Sequence, residues 1–195
     1  MIIYGIIFII ILTVIMYIYI NRYKSDNLVY EKATFDNDYY WVRNERDKSV
    51  GANTLALMKQ NMIKLINHLN ANQKKYPDYV SYITDLTKRT KVIYITETPC
   101  DENYTSYTIN KGEKIVFCIR DKLFNNIHNI NTIMYVVLHE MSHIACPEIG
   151  HTELFRKIFK FLLIEGNKIN IYVLADYDKN PVDYCGMTIT ENLFK

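Results

Sequence analysis

His139-Glu140-Met141-Ser142-His143 reads H-E-x-x-H, and no other feature constrains this chain as tightly. The residues around it, Asn131 to about Ala145, are strongly apolar (Ile133, Met134, Val136, Val137, Leu138, Ile144) and read as a helix. Residues four apart on a helix lie one above the other, so the two imidazoles can grip one metal ion. Glu140 stands beside the first of them, where a carboxylate can take a proton from a water that the metal activates. With five histidines in 195 residues, chance produces this pattern about 0.006 times per chain. So apolar a helix is buried, and burying two histidines and a carboxylate is costly unless something satisfies them. A metal would.

Cys146-Pro147-Glu148-Ile149-Gly150 breaks that helix, and His151-Thr152-Glu153-Leu154-Phe155 begins another with Phe155, Ile158, Phe159 and Leu162 on its apolar face. Gly150 lets the chain turn sharply and sets His151 at the start of the new helix. His139, His143 and His151 are therefore the expected ligands of one Zn2+, with a fourth position open to water, the arrangement of catalytic rather than structural sites. Glu148, Glu153 and Glu165 are rival third ligands, Glu165 the most distant. A Cys146 thiolate is another, but Pro147 bends the chain directly after it and a free cysteine is commonly a small core residue. His68 lies off its helix's apolar stripe and reads as solvated, and His128, in the polar loop Asn125 to Asn131, reads as a surface residue. An oxyanion stabiliser is expected from Tyr184, Tyr177 or Arg120, and the sequence does not choose among them.

The remaining composition bounds what surrounds this site. A chain of 195 residues, 49% apolar, holds one domain of ordinary size and an appendage. A net charge of +2 gives no reason to expect a nucleic-acid partner. Cys100, Cys118, Cys146 and Cys185 are widely spaced with no C-x-x-C pair, so free thiols are the default reading, with a single disulfide left open. Ile2 to Ile20 is uncharged and rich in Ile; as a helix it would span roughly 28 Å, about the thickness of a bilayer's hydrocarbon core. Tyr4, Tyr17 and Tyr19 lie near its ends, and no Lys or Arg precedes it, which favours an anchor over a cleaved signal peptide. Arg22 and Lys24 then place the body of a single-pass protein on the cytosolic side.

The expected organisation is an anchor over 1–20, a polar spacer over 21–52 whose Tyr39-Tyr40-Trp41 knot docks on the domain, and a domain over 53–195. A helix follows Asn53, with Leu55, Met58, Met62, Leu65, Ile66 and Leu69 at helical spacing, and Pro77 opens a shorter one to about Lys88. Lys91 to Thr96 reads as a strand, and Tyr107 to Ile109 with Ile115 to Ile119 as a hairpin around Gly112. With Ile169 to Leu174 as a further strand, the fold expected is α+β: a small, mostly antiparallel sheet packed on the H-E-x-x-H helix. Asp176 to Lys195 reads either as a packed tail or as a flap over the cleft, with Cys185 near the zinc as a latent ligand.

The string H-E-M-S-H…G-H-T-E-L-F resembles the SprT/WLM-like zinc metallopeptidases, including the small bacterial YgjP-like proteins. The resemblance covers about Ile115 to Leu163 and implies a zincin-like domain, one catalytic zinc and a protein or peptide substrate. It also implies that Phe155 packs the helix after the third histidine, and that the strand Ile115 to Ile119 lies beside the active-site helix and pairs with substrate backbone. The chain lacks the zinc-ribbon cysteines and basic stretch of the DNA-repair members, so the peptidase core carries over and their substrate does not. Thr105 to Val116 and Tyr184 to Thr190 resemble strings in uncharacterised proteins of large DNA viruses, which implies a virion membrane as an alternative location.

Two functions follow as expectations. The first is a membrane-anchored zinc peptidase in which His139, His143 and His151 hold the metal and Glu140 is the general base. The second is a non-catalytic membrane or virion protein that uses zinc as a staple, for which Glu140 would have no purpose.

Overall fold

The computed structural model describes residues 2–25, 27–100, 105–191 and 193–194, with side chains described for all of these except 2, 3, 6 and 18–25. Helix α1 (Ile2–Ser25) carries the apolar run, and its side chains from Ile7 to Tyr17 are exposed. Among the described residues, no helix is long and apolar enough to cross a membrane. The anchor expected over 2–20 therefore has no support in the structure, and the side chains of Tyr19, Arg22 and Lys24 lie outside the described residues.

The stretch expected to be a spacer holds a β-hairpin instead. Strand β1 (Leu28–Lys32) pairs antiparallel with β2 (Tyr39–Arg43), Tyr30 opposite Trp41. Side chains alternate across a strand, so Tyr40 and Val42 enter the core while Tyr30, Tyr39 and Trp41 form an exposed aromatic row. Their rings lie 5.1 and 5.2 Å apart. Helix α2 (Lys48–Ala71) begins before Asn53, and Asn53 Oδ1 accepts from the Phe35 N–H (3.0 Å) and the Thr34 hydroxyl (3.1 Å), pinning the hairpin's turn to the helix. All six apolar positions expected on α2 are buried. Pro77 opens a short 3-10 turn that leads into α3 (Val80–Arg89).

Three strands form the sheet beside the site: β3 (Ile95–Glu97), β4 (Tyr107–Ile109) and β5 (Lys114–Phe117), in the order β3-β5-β4. β4 and β5 are the expected antiparallel hairpin, but β3 runs parallel to β5, so the sheet is mixed. Val92 lies outside β3 and is exposed. Ile169 to Leu174 joins no strand. Ile171 and Tyr172 are buried there, yet the backbone finds its partners elsewhere. The Asn131 side chain accepts the Val173 N–H (2.7 Å) and donates to the Val173 carbonyl (2.9 Å).

Helix α4 (Ile130–Ala145) packs against α2, α3, β4 and α5 (Glu153–Lys168), and most of its residues are buried, His139 and His143 being partly exposed. α4 and α5 pack closely at Gly166, where a Cβ would come within 3.1 Å of Leu138 Cδ1, so a larger residue would require that side chain to shift. The chain ends with strands β6 (Val182–Tyr184) and β7 (Met187–Ile189), joined through Cys185 (φ 51°) and Gly186 (φ 80°). Two successive positive φ angles make the tight turn that suits a two-residue hairpin. Cys185 is disulfide-bonded to Cys118, while Cys100 and Cys146 are free. The default of free thiols is thus corrected for one pair, and Cys185 is not a latent metal ligand.

Candidate metal centre

α4 presents His139 and His143 on one face, and the loop after Cys146 turns back to deliver the third histidine. Gly150, at φ +83° with open space around it, makes that turn. Thr152 caps α5, its hydroxyl accepting the Phe155 N–H at 3.2 Å. His151, directly before the cap, meets the other two: Nε2 to Nε2 distances are 3.2 Å for 139–143, 3.1 Å for 143–151 and 3.0 Å for 139–151. Phe155 packs against all three rings, at centroid distances of 4.9, 4.2 and 4.9 Å for His139, His143 and His151.

Three nitrogens converging on one point suit a cation better than one another. Each neutral Nε2 is either a donor or an acceptor, so the three mutual contacts cannot all be hydrogen bonds at once. Tetrahedral zinc with Zn–N bonds of about 2.0–2.1 Å sets its nitrogens about 3.3 Å apart, close to the spacing found. Burial, reinforced by the facing imidazoles, lowers His139 to about 3. Burial, with His151 and Lys111 nearby, lowers His143 to about 4. Both are therefore neutral at physiological pH, the form that ligates.

Glu140 is buried one residue along from His139. Burial pushes its carboxyl up to about 7, against the opposing pull of a hydrogen bond from the Thr108 hydroxyl to Oε2 (2.8 Å). These groups line a cleft of about 680 Å³, bordered by Thr105 to Thr108 before and along β4, by Tyr135 and Val136 of α4, and by Tyr184 and Met187 to Glu191 at the C-terminal hairpin. Of the terminal segment, Tyr184 and Met187 to Glu191 border the cleft while Tyr177 and Cys185 pack into the core.

The rival ligands stand outside the histidine cluster, although Glu148 borders the same cleft. Glu148 accepts a hydrogen bond from the Thr152 hydroxyl, and Glu153 is exposed. Glu165 accepts from Tyr76 (2.6 Å) and Lys168 (2.6 Å) and meets His68 Nε2 (2.9 Å), so His68 is paired rather than merely solvated. Cys146 is buried and stands outside the histidine cluster. Of the oxyanion candidates, only Tyr184 lines the cleft. Tyr177 is buried behind Tyr135, ring centroids 4.9 Å apart. Arg120 is buried in ion pairs with Glu97 (2.9 Å) and Asp47 (2.8 Å), which hold β3 to the start of α2.

Two further corrections concern neighbours of the cleft. β5 cannot pair with a substrate, because β3 and β4 occupy both its edges; β4 is the edge strand at the cleft. His128 is half-buried: its Nε2 accepts the Cys185 N–H (3.3 Å) and its ring faces that of Tyr184 (5.0 Å). Sequence reasoning missed Ser106, Thr108 and Lys111. Lys111 Nζ donates to the carbonyls of Cys146 (2.7 Å) and Pro147 (3.0 Å), tying the β4–β5 turn to the loop that carries His151.

An α+β domain with two histidines and a glutamate on a buried helix, a third histidine from the following loop, and an edge strand along the cleft has the makings of a three-histidine metal centre. The chain belongs to the same family as uncharacterized protein R325 of Acanthamoeba polyphaga mimivirus, with 38% identity over 177 residues, 91% of this chain and 90% of that one. It is also similar to protein 136R of Invertebrate iridescent virus 6 (32% over 117 residues, 59% of this chain and 62% of the relative). Protein 042R of Invertebrate iridescent virus 3 is 46% identical over 63 residues, 32% of this chain and 38% of the relative. No protein-family model matches. Among solved structures, Wss1 of Saccharomyces cerevisiae shows a TM-score of 0.37 at 23% identity, over 47% of this chain and 73% of that one. A Wss1 mutant shows 0.42 at 20%, over 66% and 86%.

Proposed function

We propose that this protein is a zinc-dependent peptidase, a reading carried by the convergence of three Nε2 atoms within 3.2 Å of one another beside a buried glutamate in an open cleft. His139, His143 and His151 would hold the ion, which when bound supplies Lewis acidity for a water and for the scissile carbonyl. Glu140, with its carboxyl near 7, is suited to accept the water's proton and to return it to the leaving amine. β4, the outer strand of the sheet, lies along the cleft, where an extended peptide can align by strand addition.

Tyr184 is the best-placed oxyanion stabiliser. Ser106 Oγ accepts the Cys118 N–H (3.1 Å) and lies 2.8 Å from the Tyr184 hydroxyl. If Ser106 donates to Tyr184, the phenolic proton is left for the oxyanion. The scaffold alternative gains nothing from this geometry, since a structural zinc normally takes four protein ligands and the cluster among the described residues has three.

Cleavage of a peptide library by the zinc-loaded protein, alongside Glu140→Gln, tests the proposal. The variant should keep its zinc and lose a factor of about 100 to 10,000 in rate. Equal cleavage by the two proteins would contradict it.

A further inference from the structure

Strand β4 does more than border the cleft. Thr108 is its middle residue, paired with Ile115 of β5, and its hydroxyl meets Glu140 Oε2 at 2.8 Å. Oε2 of an ionised carboxylate only accepts, so Thr108 is the donor and its single proton is committed to Glu140. The neighbouring hydroxyls are engaged elsewhere: Ser142 donates to the Leu138 carbonyl (2.7 Å), and Ser106 meets Tyr184 and the Cys118 N–H.

A glutamate reaches its carboxylate through three rotatable bonds, and a general base is effective only when its oxygen sits within a few tenths of an ångström of the productive position. α4 fixes the Cα of Glu140 but not the far end of the side chain. Resting on the peptidase reading, we propose that Thr108 is the positioning residue for Glu140, holding Oε2 so that Oε1 is the oxygen presented to the attacking water. Thr108 keeps its own proton throughout. Oε1 takes a proton from the water and gives it up to the leaving nitrogen, so the carboxylate ends as it began. Because Thr108 sits on the edge strand, the element that would register an extended substrate also sets the aim of the base.

The test compares the zinc-loaded full chain with Thr108→Val, which keeps shape and strand preference but removes the hydroxyl, and with Thr108→Ser, which restores it. Thr108→Ala serves as a second hydroxyl-free variant should the valine disturb packing. The valine and alanine variants should lose about 10- to 100-fold in kcat, with KM and zinc content essentially unchanged, and the serine variant should recover most of the loss. Crystal structures of the same proteins give a readout independent of turnover: one Glu140 rotamer in the wild type and the serine variant, a displaced or split one in the others. Wild-type kcat in both hydroxyl-free variants, a loss confined to KM, or an unmoved Glu140 carboxylate would overturn the proposal. Absence of cleavage by the wild type would instead defeat the peptidase reading, and the crystallographic comparison would still decide what Thr108 holds.

Discussion

Phe155 lies against His143 with ring centroids 4.2 Å apart and planes 30° from parallel. The same ring reaches His139 and His151, so one aromatic side chain from the first turn of α5 supports all three imidazoles. Phe155→Ala should cost about 3–5 kcal/mol in urea unfolding, through lost burial and the cavity left behind. Phe155→Leu should cost less stability and still weaken zinc binding, because a branched chain cannot contact three rings at once. A leucine variant that binds zinc as tightly as the wild type would count against this supporting role.

Lys111 acts on the other side of the same loop. Its ammonium holds the Cys146 and Pro147 carbonyls, and those carbonyls belong to the connection that carries His151. Lys111→Met should lower zinc affinity by about tenfold and cost about 1–2 kcal/mol of stability, both read by zinc-chelator competition and denaturant titration. Unchanged zinc affinity would show that Gly150 and the Thr152 cap place His151 unaided.

The pH dependence of the metal-free protein separates two opposed effects. Burial and the facing imidazoles lower His139 to about 3 from the ordinary 6.5, so the unfolded chain binds its proton first and stability falls as pH drops below about 6.5. From pH 7 to 5 this costs about 2 kcal/mol. Glu140 is raised to about 7 from 4.5, so the folded chain binds that proton first, and the same acidification returns about 2 kcal/mol. His143 shifts in the same direction as His139, but its greater exposure discounts its share. The metal-free wild type should therefore lose little stability between pH 7 and 5, whereas Glu140→Gln, deprived of the compensating carboxyl, should lose clearly more. Parallel pH profiles for the two proteins would refute the assignment of opposed shifts.

The Cys118–Cys185 bond joins residues 67 apart in sequence and ties the cleft-lining hairpin to the end of β5. Closing a loop of that length stabilises the fold by about 4 kcal/mol in the chain-entropy account. Reduction should lower the thermal midpoint while leaving zinc content intact, since neither sulfur belongs to the histidine cluster. Identical midpoints for oxidised and reduced protein would contradict this.

What could be read from the sequence was governed by the range of the interactions involved. His139 and His143 are four apart on one helix, and the Gly150 turn lies one residue before His151, so local spacing sufficed to pick out the cluster. Thr108, Lys111 and the partner of Cys185 reach the site only through tertiary packing, for which no local pattern exists. The hairpin over Leu28–Arg43 was legible in principle, because Tyr40 and Val42 alternate with Tyr39 and Trp41, but the charges around them masked that period. Ile169 to Leu174 misled in the opposite direction. Its β-branched and aromatic residues suit a strand, yet its backbone is held by the Asn131 side chain and, among the described residues, no strand pairs with it.

The central claim rests on the three histidines acting as one ligand set. The most direct measurement is the zinc content and affinity of the purified chain, by elemental analysis and chelator competition, beside His151→Ala. One equivalent in the wild type, with binding at least about 100-fold weaker in the variant, is the predicted result. No zinc in the wild type, or equal affinity in the two, would contradict it.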